Sequence, residues 1–234
     1  MTEFADPRRT RLRSDSPQYP MSPPVAHLLA NTSVLLTRDG IVALAETIQG
    51  DFLAGYKQLL TIDRQIGGVG FHNVNRREGE WLTGAYRVEF RPIFRPIQYA
   101  FQMLVDEDLV WNARYIVQWS CAHVEDTIKY RFRIPSDLNA SLGVLLTRRP
   151  AIARDLEPAL LAWLLDLNRL VYRHSKHSVE ELTLDRHRFT PADAIAVYLM
   201  CRWAGVKVLA PTGLFGNWMT PGEAARSMGE ETTR

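Results

Sequence analysis

The sequence predicts an all-α protein: a bundle of about five or six helices with disordered N- and C-terminal tails. Three observations predict it. Apolar residues recur at three- and four-residue steps over several long windows, the repeat of a helix with one buried face. No window alternates apolar and polar residues for long enough to promise a sheet. The one long segment bounded by charge carries acids at its start and bases at its end, the order a helix dipole favours. With 46% hydrophobic and 23% charged residues over 234 positions, the chain has apolar surface for one sizeable core. There is no repeat of solenoid period. A net charge of +2 argues neither for nor against a nucleic-acid partner, since local patches decide that.

Domain limits follow from composition. Residues 1–30 are expected to be disordered, residues 31–210 to form a single helical domain, and residues 211–234 to form a polar tail. The first 25 residues are rich in Pro, Ser and Arg and show no periodicity, so they bury too little apolar surface to offset their ordering entropy. Arg8, Arg9, Arg11 and Arg13 there are a solvated tail or a contact for RNA or an acidic partner.

The first helix is expected from Gly40 to Gln65, with Asp39 as N-cap and a stripe of Ile41, Leu44, Ala45, Ile48, Phe52, Tyr56, Leu59 and Ile66. Gly67, Gly68 and Gly70 then stop it; they lack the lysine and spacing of a phosphate-binding loop. Arg76 to Leu104 reads as two helices, with a kink or extended link where Pro92 and Pro96 remove backbone donors. Asp106, Glu107 and Asp108 open the next helix, Lys129, Arg131 and Arg133 close it, and Val110, Ala113, Val117, Cys121, Val124 and Ile128 form its buried side. Glu125 and Lys129 stand four apart on it, either as an exposed ion pair or as part of a site. After a loop marked by Pro135, Asp137, Asn139 and Gly143, the central helix buries Leu156, Leu160, Trp163, Leu164, Leu167 and Val171. Thr190, Pro191 and Asp193 form a well-made start for a last helix that is apolar almost all round and ends near Gly205.

Cys121 and Cys201 lie in apolar helical segments without metal-ligand spacing and read as buried free thiols in a reducing cytoplasm, the expected location. No apolar run reaches the roughly 18 residues that span a bilayer, and no apolar stretch follows the N-terminal arginines, so neither a membrane segment nor a secretory signal is expected.

Side chains able to handle protons or phosphate gather in one place, the end of the Leu160 to His177 stretch: Asn168, Arg169, Arg173, His174, Lys176 and His177. In a regular helix Arg169, Arg173 and His177 share a face, and Asn168, Tyr172 and Lys176 form a second row beside it. His174 lies about 140° round from Arg169 in such a helix, so the two converge only if the helix end bends or a second subunit contributes. Basic residues at a helix C-terminus also serve simply as partners for its dipole. His174 and His177 have the spacing of a metal pair, but no Cys or carboxylate completes the set; no metal or cofactor is expected.

Arg169-Leu170-Val171-Tyr172-Arg173-His174 resembles the Arg-x4-His motif of the HEPN superfamily, and the resemblance covers at most Glu107 to Leu209. That superfamily comprises small helical bundles that often dimerise, many of which cleave RNA without metal in toxin–antitoxin and phage-defence systems. The resemblance implies RNA as substrate, a homodimer, and a protein partner of the antitoxin type. It assigns Arg169 to the scissile phosphate and His174 to proton transfer; helix geometry alone nominates Arg173 and His177 as a second pair, and Asn168, Lys176 and Glu125 stand as supporting candidates. One departure stands out: the family usually places a polar residue after the arginine, and here that residue is Leu170. The alternative is a non-catalytic helical interaction module whose basic helix end binds a protein or nucleic acid.

Overall fold

The computed structural model of the chain describes residues 19–34, 36–67, 91–104, 109–135, 140–176 and 189–212. Among them every regular element is helical and none is a strand. In order these are α1 (Pro23–Ala30), α2 (Arg38–Gly50), α3 (Phe52–Gly67), α4 (Arg91–Leu104), α5 (Leu109–Arg131), α6 (Leu142–Arg148), α7 (Pro150–Asp155) and α8 (Pro158–Leu167). A π-helical turn (Asn168–Tyr172), α9 (Arg173–Ser175) and α10 (Pro191–Leu209) follow.

The fold is built around α10. Its start is the expected one: the Thr190 hydroxyl accepts from Asp193 N at 3.1 Å, the Asp193 carboxylate accepts from Thr190 N at 3.1 Å, and Pro191 occupies the first turn. Beyond the cap, nearly every side chain is buried, because α10 packs most extensively on α5 and also meets α1, α2, α3 and α4. Such a surround explains a helix without a polar face. With its closing turn to Thr212, it is the one described helix long and apolar enough to cross a membrane, although the apolar run looked too short for that. In this fold it is the core helix, and it carries buried Asp193 and Arg202. Gly205 does not end it: the helix runs on to Leu209, and the glycine instead lets α10 approach α5, where a Cβ would lie 2.5 Å from His123 Nε2. Cys121 and Cys201 are buried free thiols that interact across the same α5–α10 seam, and burial pushes the Cys201 thiol up.

Several boundaries differ from the sequence reading. Disorder is the expectation through residue 30, but the residues from Tyr19 on pack into the fold: Tyr19, Met21, Val25, Leu28 and Leu29 are buried, and α1 is docked by Trp163 Nε1 donating to the Leu28 carbonyl at 3.1 Å. The Asp193 carboxylate also accepts from Ser22 N at 2.8 Å and Ser22 Oγ at 3.0 Å, so the cap of α10 holds this segment as well. The single helix expected from Gly40 to Gln65 is two, broken at Gly50 and Asp51. Asp51 turns extended (φ −135°, ψ 92°) and its carboxylate accepts from Ala54 N. The N-cap of α2 is Thr37, whose hydroxyl accepts from Gly40 N, and not Asp39. Phe52, expected on the buried stripe, is 44% exposed once the break re-aims the chain. α4 continues through Pro96, only one turn into the helix, where the missing donor faces the carbonyl of residue 92. Gly67 closes α3, whereas residues 68–90, which carry Gly68, Gly70 and the Trp81, Ala85 and Val88 stripe, lie outside the described residues, as do Asp106, Glu107 and Asp108 and residues 1–18 and 213–234.

Candidate functional site

The basic cluster sits where the helix that begins at Pro158 changes its winding. Leu160, Trp163, Leu164 and Leu167 bury one side of α8. A π turn then takes over: Arg173 N donates to the carbonyl of Asn168, five residues back. The widened turn lets two successive side chains, Val171 and Tyr172, both be buried. A π turn also narrows the angle between residues five apart relative to an α-helix. Arg169 and His174 are such a pair.

Of the expected second row, Asn168 and Tyr172 face the protein, and Lys176, though exposed, folds back onto it. Asn168 packs on α6, its Nδ2 lying 2.8 Å from where a Cβ at Gly143 would be, so a larger residue there would displace the Asn168 amide. Tyr172 is buried, and Lys176 Nζ sits 3.9 Å from the centre of its ring. Both meet Glu125 of α5. Burial, and then the nearby Glu125 carboxylate with which it shares a hydrogen bond, push the Tyr172 phenol up. Lys176 Nζ lies 3.6 Å from Glu125 Oε2.

Glu125 is the hub of this seam. Its Oε1 accepts from Lys129 Nζ at 2.8 Å and its Oε2 from Leu142 N at 3.0 Å. The second bond caps α6 from a distance, since the Ser141 side chain makes no cap bond. The ion pair with Lys129 is not the exposed one considered from the sequence: the two side chains are only 12% and 13% exposed. Asp126 beside it is pushed up to about 6, chiefly by burial, with Lys129 opposing. At the far end of the helix, Arg114 Nε donates to the Ser175 carbonyl at 3.0 Å and fixes α9 to α5.

Arg169 and Arg173 face solvent instead. Arg169 is 65% exposed and pairs with Asp166 at 2.9 Å, three residues back. His27 of α1 lies 3.6 Å from the other oxygen of Asp166. The hydrogen bond from Arg169 holds the Asp166 carboxyl below its ordinary range. His174 is half-buried and has an interaction partner. The expected set therefore divides. Arg169 and Arg173 are on the solvent side, whereas Asn168, Lys176 and Glu125 are engaged in the seam with α5 and α6, and no ion pair joins Arg169 to Glu125. His177 lies outside the described residues. No group of three or more metal-ligating side chains occurs among the described residues.

Sequence reasoning missed a second polar group, in the core. Asp63 Oδ1 accepts from Tyr198 Oη at 2.8 Å and Arg202 Nε at 2.7 Å, and Asp63 Oδ2 accepts from Arg202 Nη2 at 3.3 Å, with all three residues buried. His123 lies near this pair, its Nδ1 bonded to the Ile93 carbonyl at 2.7 Å, and burial pushes its imidazole down to about 4. A signal for Asp63 was present: it falls four after Leu59 and three before Ile66, on the apolar stripe of α3. Tyr198 and Arg202 stand four apart on α10, the spacing of one helix face. Comparison with protein-family models, with curated proteins and with solved structures finds no match for this chain.

Proposed function

We propose that the chain is a HEPN-like helical protein that cleaves RNA without a metal ion, with Arg169 and His174 at the reacting phosphate. What supports this reading is the π turn at Asn168–Tyr172, which overlaps the Arg-x4-His motif and so narrows the angle between residues five apart. Arg169 would hold the phosphate by paired hydrogen bonds and stabilise charge in the transition state. His174 would take the proton of the ribose 2′-hydroxyl or return one to the leaving oxygen. Arg173, exposed beside them, adds positive charge along the approach. The Arg169–Asp166 pair does not bar this role, because an exposed pair is worth about 0.2–1 kcal/mol and yields to a phosphate. A second copy facing the first across a two-fold axis, and a protein partner of the antitoxin type, belong to the same reading.

The test is cleavage of end-labelled single-stranded RNA by the full chain in the presence of EDTA. Arg169→Ala and His174→Ala are expected to lower the rate by about 10²–10⁴-fold. Lys176→Ala is expected to keep the rate within a few-fold, since that ammonium is committed to Tyr172 and Glu125. Full activity in His174→Ala with loss in Arg173→Ala and His177→Ala moves the site to the neighbouring face.

One observation favours a second reading, the non-catalytic interaction module. The charged side chains of the cluster are largely partnered within the chain: Arg169 by Asp166, and Lys176 by Glu125 and the Tyr172 ring. A parent protein that neither cleaves nor binds RNA supports that module.

A further inference from the structure

We propose that the open groove between the end of α5 and the α6–α7 corner binds an acidic peptide anchored by aliphatic side chains. The groove encloses about 710 Å³ and is lined by Phe132, Ile134, Val144 and Ile152 together with Arg148 and Arg149. Neither Arg169 nor His174 lines it, and it arises from local geometry. Arg133 takes a left-handed backbone conformation (φ 51°) that swings the chain away from α5. Arg149 leaves the helical region (φ −124°, ψ 89°) between α6 and α7, so two short helices meet at a corner.

Charge selects the partner. Arg148 and Arg149 are exposed, and among the described residues no carboxylate pairs with either. Their neighbour Arg131 shows the contrast: it is bonded to the Asp155 carboxylate and to the Val208 carbonyl, and that pairing uses up Asp155. Two unneutralised guanidiniums beside an apolar floor complement a ligand with carboxylates next to apolar groups.

The walls favour a peptide over nucleic acid. Single-stranded nucleic acid is held by bare aromatic faces on which bases stack. Among the described residues Phe132 is the one aromatic side chain of this lining, and the Arg131 guanidinium lies 5.0 Å from its ring centre, covering one face. The rest of the floor is aliphatic, and Val144 is 38% exposed on it. The groove is also open to solvent along its length, whereas small-molecule sites enclose most of their ligand.

The test selects binders from a random peptide library displayed on phage, using the full chain as bait. Recovered peptides are then measured by fluorescence anisotropy. Enrichment of Asp or Glu beside Leu, Ile or Val is expected, with binding that weakens as salt rises. Arg148→Glu combined with Arg149→Glu is expected to weaken a recovered peptide at least about tenfold, and Val144→Asp to do the same. Both changes are at exposed positions, and circular dichroism checks that the helices persist. Three outcomes overturn the proposal: selection yields no binders, the binders show no acidic bias, or their affinity is unchanged by both variants. Displacement of a bound peptide by oligouridylate at equal concentration also overturns it, and assigns the groove to nucleic acid.

Discussion

A single hydrogen atom at residue 205 sets how closely the two longest helices approach. A Cβ at Gly205 would lie 2.5 Å from His123 Nε2, so Gly205→Ala is expected to cost about 1–3 kcal/mol through overpacking. A lower urea midpoint with unchanged slope checks it. His123 itself ties stability to pH. Its folded-state pKa of about 4 lies below the ordinary 6.5, so between those values the unfolded chain binds a proton that the folded one refuses. Stability is full above about pH 6.5 and falls as pH drops toward 4, by on the order of 3 kcal/mol for this residue. Asp126, pushed up to about 6, acts in the opposite sense, since its protonation favours the folded state on acidification. Comparing melting temperatures of the parent and His123→Gln across pH 4–7 isolates the histidine: the acid-side loss is expected to shrink in the variant. An unchanged difference between the two would remove His123 from the account. None of this was legible beforehand, because sequence placed Gly205 at a helix end and gave His123 no neighbours.

Among the elements, the stripes that periodicity marks are the ones that pack: Ile41, Leu44, Ala45 and Ile48 on α2, and Ala113, Val117, Cys121, Val124 and Ile128 on α5. Breaks were harder to read. The stripe passes across Gly50 and Asp51 without losing phase, although glycine followed by a capping acid is a stop and start signal. The π turn had no signal at all, since i→i+5 bonding follows from tertiary packing of Val171 and Tyr172 rather than from propensity. Its effect is testable by removing one residue. Deletion of Leu170 is expected to restore ordinary winding and rotate Tyr172 and Lys176 away from Glu125. The resulting loss of stability should exceed that of Leu170→Ala, which removes only packing. Thermal melts that coincide for the two variants would show that the turn has no such role. Of the candidate site, the row Asn168, Tyr172, Lys176 was readable as a row, but which side of the helix faced α5 was not.

At the scale of the whole molecule, Asp63 and Arg202 join α3 to α10 through a pair in which both side chains are at most 3% exposed. Removing one partner strands a buried charge, so Asp63→Ala is expected to cost about 3–5 kcal/mol. Asp63→Leu with Arg202→Met is expected to recover much of that loss, and chemical denaturation of the three proteins measures both. A double variant no better than the single one would mean that the pair is held by more than its charges. This closure was illegible because sequence shows an acid on one stripe and a base on another but not that the stripes meet. The separation has a consequence for biogenesis. The paired residues are 139 positions apart, and at about 5–20 residues per second the ribosome needs roughly 7–28 s to pass from one to the other. Once α5 has been made, the surfaces of α1 to α5 that will clasp α10 have no occupant for the rest of that interval, and Asp63 waits without its guanidinium. The nascent chain is thus an apolar cradle before it is a protein, a natural client for holding chaperones until the last described helix arrives.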